Sequence, residues 1–169
     1  MTPPTLRPTI IIAICLYVFD GLIVGEGVIG VFVFIVVFLA GGIRILLATR
    51  RKDRILMRFH AARIGVYLLM AVAIAGTLFI NGRIARHRAE QIIVACRQYE
   101  TKHHRLPDRL PELVPEFLPG VPRAKYTLWY GDFNYLLGSE NTHYLRYVAF
   151  PPLTQAIYSF EGGRWSTFI

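Results

Sequence analysis

Three apolar runs in the first half of the chain constrain what it can become. TIIIAICLYVFDGLIV (9–24), VIGVFVFIVVFLAGGIRILLA (28–48) and IGVYLLMAVAIAGTLFI (64–80) carry almost no charge. About 20 such residues in a helix cross a hydrocarbon core of about 30 Å. The second run is long enough alone, and the first is short for a span. The 169 residues are 54% hydrophobic, above the roughly 45–50% of soluble domains even when Gly is counted there. Residues 83–169 have an ordinary mixed composition. A membrane region over 1–82 and one small domain over 83–169 are therefore expected. The polar lead MTPPTLRP lacks the features of a removable signal peptide, so the first run is read as a retained span.

Formal charge is +8, and seven of the nineteen Lys and Arg fall at Arg44, Arg50, Arg51, Lys52, Arg54, Arg58 and Arg63. Clustered around the gap between two spans, they read as a basic cytoplasmic loop over 49–63 that obeys the positive-inside rule. No basic residues interleaved with surface aromatics appear there, so nucleic acid is not an expected partner. With that loop inside, the N-terminus is cytoplasmic, the first two spans turn at Gly25-Glu26-Gly27, and the C-terminal domain lies outside, in the periplasm of a Gram-negative cell. Arg83, Arg86 and Arg88 oppose this orientation but are outnumbered.

Beyond the third span, Ile84, Ala85, Ala89, Ile92, Ile93, Cys96 and Tyr99 recur at a period near 3.6 and predict a helix with one apolar stripe. It continues the third span and ends by Pro107, because the residue before proline is pushed out of helical geometry. PELVPEF is a short helix with Pro111 in its first turn. From Tyr126 the alternation has period two, so YTLWYGD, NYLLGSE, THYLRYVAF and QAIYSFEGGRWSTF predict three or four antiparallel strands. Hairpin turns are expected at 138–141 and 161–164.

The stretch ACRQYETKHHRLPDRLPELVPEFLPGVP (95–122) is crowded with prolines yet keeps Leu106, Leu110, Leu113, Val114, Phe117, Leu118 and Val121. Disordered linkers lack such residues. Its pattern resembles the major pseudopilins of type II secretion and their type IV pilin relatives, which carry an R-[LY]-P-x-x-L-x-x-L-V-P-x-[YF]-L-x-x-[VL]-P run after an alanine-rich helix. Arg105, Leu106, Pro107, Leu110, Leu113, Val114, Pro115, Phe117, Leu118, Val121 and Pro122 occupy the matching places. The resemblance covers about residues 83–168 and implies an α+β domain in which a long amphipathic helix packs on a small antiparallel sheet. Here two extra spans precede the third, and no Gly-Phe processing junction stands before Ile64. Processing by a prepilin peptidase and stacking as a pilus subunit are therefore not expected. Nor can Glu161 alone replace the family's calcium loop.

No catalytic constellation, cofactor motif or metal-ligand set stands out, so the chain is read as non-enzymatic. Cys15 lies inside the first apolar run and Cys96 on a helix several turns beyond the last one, so their Cα atoms are expected to lie outside disulfide range. His103 and His104 read as a solvated basic turn, and His87 with Glu90 as a helical surface pair. Ser139, Ser159 and Ser166 lack a nucleophile-elbow context. Asp20 breaks a local rule at a cost of roughly 2.5–3.5 kcal/mol for a carboxylate at a span's centre. It either sits near the outer headgroups, is neutral, or pairs between helices with help from Glu26. Aromatic residues of the types favoured at interfaces, Trp129, Tyr130, Tyr144, Tyr158 and Trp165, either serve the core of so small a domain or bind a partner.

These readings converge on a bacterial inner-membrane binding protein whose partner residues would be Asp20, Glu26, Trp129, Tyr130, Tyr144 and Trp165. The leading expectation is an immunity protein that neutralises a pore-forming interbacterial toxin. The alternative, implied by the resemblance, is an accessory factor of a type II secretion or type IV pilus system. A sensor or transport subunit built around Asp20 is a weaker third.

Overall fold

A computed structural model of the protein describes residues 5–138, 142–150 and 154–168. The chain is α+β and separates into two compact units, 1–78 and 79–169. Helix α1 (Arg7–Leu16) widens into a π-helix over Tyr17–Val24, and α2 covers Val28–Arg50. Helix α3 runs from Arg54 to His103, followed by a 3₁₀ turn at Leu110–Leu113 and strands β1 (Asn134–Leu137), β2 (His143–Phe150), β3 (Thr154–Ser159) and β4 (Arg164–Phe168). All three helical segments are long and apolar enough to cross a membrane.

One expectation is corrected in the first unit. The segment 49–63 is helical except at Arg51–Asp53, so most of the supposed basic loop is helix end. The reason is local: the Asp53 carboxylate accepts the Leu56 amide at 3.0 Å and so caps α3, as aspartate does at helix starts. No proline interrupts the chain from there to Pro107.

Ala13, Tyr67, Met70 and Ile74 form the core of the first unit, with Leu16, Tyr17, Val33, Phe34, Val37, Val66 and Leu78 against them. The remaining faces leave large apolar side chains exposed, Phe32 at 65% and Leu69 at 72%. Asp20 is fully buried, and its Oδ2 accepts the Gly30 amide at 2.6 Å. Gly30 lies in the first turn of α2, where backbone N–H groups have no partner within the helix. The carboxylate therefore reaches over from the preceding helix to cap α2 at the positive end of its dipole. The π-helical turn that carries Asp20 closes with the Gly25 amide on the Asp20 carbonyl at 2.9 Å. Glycine at residue 30 leaves room for this approach, because a Cβ there would press on the end of the Ile74 side chain and lie 3.1 Å from the carboxylate. The Tyr17 hydroxyl meets Thr77 Oγ1 at 3.1 Å, a second polar link.

In the second unit the sheet is an antiparallel meander in the order β1-β2-β3-β4. Tyr135 faces Leu145, Tyr147 faces Ala156, and Tyr158 faces Trp165 across the ladders. The expected turn at 161–164 is present, with Gly163 at φ 59°, and the one at 138–141 lies largely outside the described residues. Ala85, Ala89, Ile92, Ala95, Cys96 and Tyr99 of α3 share one core with Leu145, Tyr147 and Ala156 of the sheet and with Phe160 in the turn after β3. The proline-rich stretch closes that core with Leu106, Leu110 and Leu113, while Phe117 and Leu118 are half-buried and Val114 and Val121 stay exposed. Helix α3 stops at His103, earlier than proline alone requires, because His104 turns left-handed at φ 57° and donates its amide to Glu100 O at 2.8 Å.

Replacing Asp20 by Leu strands the Gly30 amide and is expected to cost about 1–3 kcal/mol. This would lower the thermal midpoint of the detergent-solubilised chain. Asp20→Asn keeps an acceptor and should lose less, and equal losses in the two variants would sink the capping account.

Candidate functional site

YTLWYGD was expected to be a strand and is not one. Its alternation misleads because the segment closes on itself instead of pairing with the sheet. The Lys125 amide donates to Gly131 O at 3.1 Å, which makes 126–130 a tight surface loop. Thr127 is buried within it and donates its hydroxyl to Trp129 O at 2.8 Å. Arg123 donates to Thr127 O at 3.1 Å and pairs through Nε with Asp132 at 2.9 Å. Tyr130 is left-handed at φ 55°, an uncommon conformation for an aromatic residue. At Gly131 a Cβ would fall 2.3 Å from Arg123 Nη2 and 2.5 Å from Thr127 O, so the loop closes only around glycine.

Two further contacts fix the base of the loop. Arg88 of α3 donates to Arg123 O at 2.9 Å and to the Tyr126 hydroxyl at 2.6 Å. Its guanidinium lies 4.5 Å from the Tyr126 ring centre, a cation–π arrangement. Lys125 is buried, and its Nζ donates to Ala149 O at 3.0 Å. What this scaffold holds out is apolar: Tyr126, Leu128, Trp129 and Tyr130 are 68%, 66%, 58% and 43% exposed. A pre-ordered loop of Tyr and Trp offers large contact area with little entropy left to lose on binding.

Of the six residues expected to bind a partner, Trp129 and Tyr130 stand on this loop. Their alternative reading as core is excluded by their exposure. Trp165 on β4 is half-buried against Tyr147 and Tyr158, with the Arg86 guanidinium 4.2 Å from its ring centre. Tyr144 is half-buried on β2, opposite Leu136 and Ser159. Asp20 and Glu26 belong to the first unit, the former capping α2 and the latter half-buried in the turn before it. Sequence reasoning missed Tyr126 and Leu128, hidden inside a supposed strand. It also missed Arg88 and Arg123, whose part depends on contacts distant in the chain. Glu90, expected to pair with His87, pairs instead with Arg86 at 2.9 Å, and His87 faces Gln91 at 3.4 Å.

Among the described residues no three His, Cys, Asp or Glu side chains gather as metal ligands would. Both cysteines are free. The chain matches no protein-family model, no curated protein and no solved structure. The resemblance to the pseudopilins thus rests on the residues of 95–122 themselves.

Burial lowers the pKa of Lys125 from about 10.5 to about 8. Between those values the unfolded chain binds more protons than the folded one, so stability rises with pH across that window and the cost of the buried ammonium is complete below it. The thermal midpoint should therefore rise between pH ~8 and ~10 relative to Lys125→Met. Parallel profiles for the two proteins would show that the fold does not desolvate this ammonium.

Proposed function

We propose that this protein is a multi-pass bacterial inner-membrane protein that works by binding another protein through the loop at 126–130. The observation that carries the proposal is the loop itself: four exposed apolar side chains on a backbone held by Lys125, Arg88, Arg123 and Gly131. Exposed aromatic clusters of this kind mark interaction sites. Membrane insertion is supported by the length and apolarity of the three helical segments and by the large apolar side chains that α2 and α3 leave uncovered. Lipid would cover those faces, with the basic cluster from Arg44 to Arg63 on the cytoplasmic side. That orientation leaves the N-terminus cytoplasmic and the second unit in the periplasm.

The partner we propose is a toxin that forms pores in the same membrane, which makes this an immunity protein. A small binding unit tethered to the target membrane holds the toxin where insertion would occur, and tethering raises its effective concentration there. The second reading, an accessory factor of a type II secretion or type IV pilus machine, is favoured by the pattern at 95–122, which resembles pseudopilins.

Alkaline phosphatase fused at Ile169 should be active and a fluorescent protein there dark; the reverse result rejects the orientation. Crosslinking in cells through a C-terminal tag should capture one protein. Trp129→Ala should weaken its binding at least about tenfold, as truncation of an interface anchor does. A membrane-active toxin, with killing restored on deletion of this protein, supports immunity. Pilins or secretion components select the second reading, and undiminished capture by Trp129→Ala removes the loop from the interface.

A further inference from the structure

Where α2 ends and α3 begins, Arg44, His60 and Arg63 line a cavity of about 120 Å³ whose apolar walls include Val37, Ala40 and Ile64. Two arginines and a histidine line it, and among the described residues no carboxylate pairs with them. Neither arginine forms an ion pair among the described residues. Arg63 Nε is buried and has no hydrogen-bond partner among them. His60 is only 6% exposed and lines the same cavity as both guanidinium groups. The carboxylates of the first unit are Asp20, Glu26 and Asp53. Asp20 caps the far end of α2, Glu26 sits in the turn before it, and Asp53 caps α3. A buried donor with no acceptor is the kind of group that a bound ligand satisfies.

The depth of the site narrows the ligand. Arg44 stands 16 residues after Val28, about 24 Å along α2, close to the far face of a core about 30 Å thick. Arg63 directly precedes the apolar run 64–80. Both cations therefore stand at headgroup level in the membrane reading, on which this inference rests. In the cavity wall the exposed Val36 of α2 begins an apolar track. We propose that the cavity binds the phosphate of an anionic phospholipid, with Arg44 and Arg63 as its donors, His60 as a third contact, and the acyl chains along α2. Arginine suits the task because its planar fork matches two phosphate oxygens at once, and basic pockets between spans on the cytoplasmic side favour such headgroups.

Lipid phosphate and free phosphate share this chemistry, so the test separates them. The full chain, purified in a neutral detergent, is given phosphatidylglycerol, phosphatidylcholine or inorganic phosphate, and retained lipid is read by native mass spectrometry beside the thermal midpoint. Phosphatidylglycerol should be retained one per chain and raise the midpoint, while phosphatidylcholine does neither. Arg63→Gln and Arg44→Gln should each cut retention at least about tenfold, the size of a lost charge-assisted contact. Arg58→Gln removes the same charge outside the cavity and should leave retention unchanged. If either cavity variant fails to fold, His60→Gln supplies the same comparison. Equal retention of the two lipids, or equal loss in Arg58→Gln, would overturn the proposal in favour of diffuse surface charge. Inorganic phosphate that displaces the lipid and raises the midpoint alone would place free phosphate in the site and overturn the lipid assignment. Failure of the membrane reading would appear separately, in the fusion reporters.

Discussion

Everything in the second unit depends on one row of small side chains along α3. Ala85, Ala89, Ala95 and Cys96, with Ile92 among them, are essentially removed from solvent. Alanines at that spacing let another layer approach the helix closely, and helical periodicity keeps them on one face. The sheet answers with Leu145 and Tyr147, the turn after β3 with Phe160, and the proline-rich stretch with Leu106, Leu110 and Leu113. Edge-to-face contacts such as Tyr158 with Phe160 and Phe133 with Tyr147 add orientation to burial, as the ring quadrupole favours. Prolines narrow the conformations open to the unfolded chain, so ordering this long connection loses less entropy than an unrestricted one would.

The aromatic loop is the consequence of polar staples set on that framework. Arg88 projects from α3 and Arg123 from the end of the proline-rich stretch, and between them they hold carbonyls that a strand would have paired with a neighbour. Lys125 goes further and buries its ammonium to reach the Ala149 carbonyl on β2. A buried cation with a single carbonyl partner is a costly device, and its product is a loop whose apolar side chains have nowhere to turn but outward.

The first unit solves a different problem, that of starting a helix amid apolar surroundings. Unpaired amides in the first turn of α2 must find acceptors, and the apolar side chains around them offer none. Asp20 does so from the preceding helix. This answers the question that an acidic residue in an apolar run raises: its position follows from the backbone of the next helix. Arg63 presents the inverse case, a buried Nε donor whose acceptor is not another part of the described chain.

Periodicity made much of the architecture legible. Three apolar runs, one stripe of 3.6 spacing and alternating segments at 143–150, 154–159 and 164–168 correspond to helices and strands because each pattern reflects a local repeat of the backbone. The proline-rich stretch could be recognised as ordered from its leucines alone. Local pattern misled at 126–132, where Tyr-Thr-Leu-Trp-Tyr alternates like a strand, and at 49–63, where the capping power of Asp53 was hidden among basic residues. What tertiary structure alone decided is which groups meet across long intervals: Asp20 with the Gly30 amide, Arg88 with Tyr126, Arg44 with His60 and Arg63. Such pairings depend on how separate elements pack, and no periodicity in the chain records them.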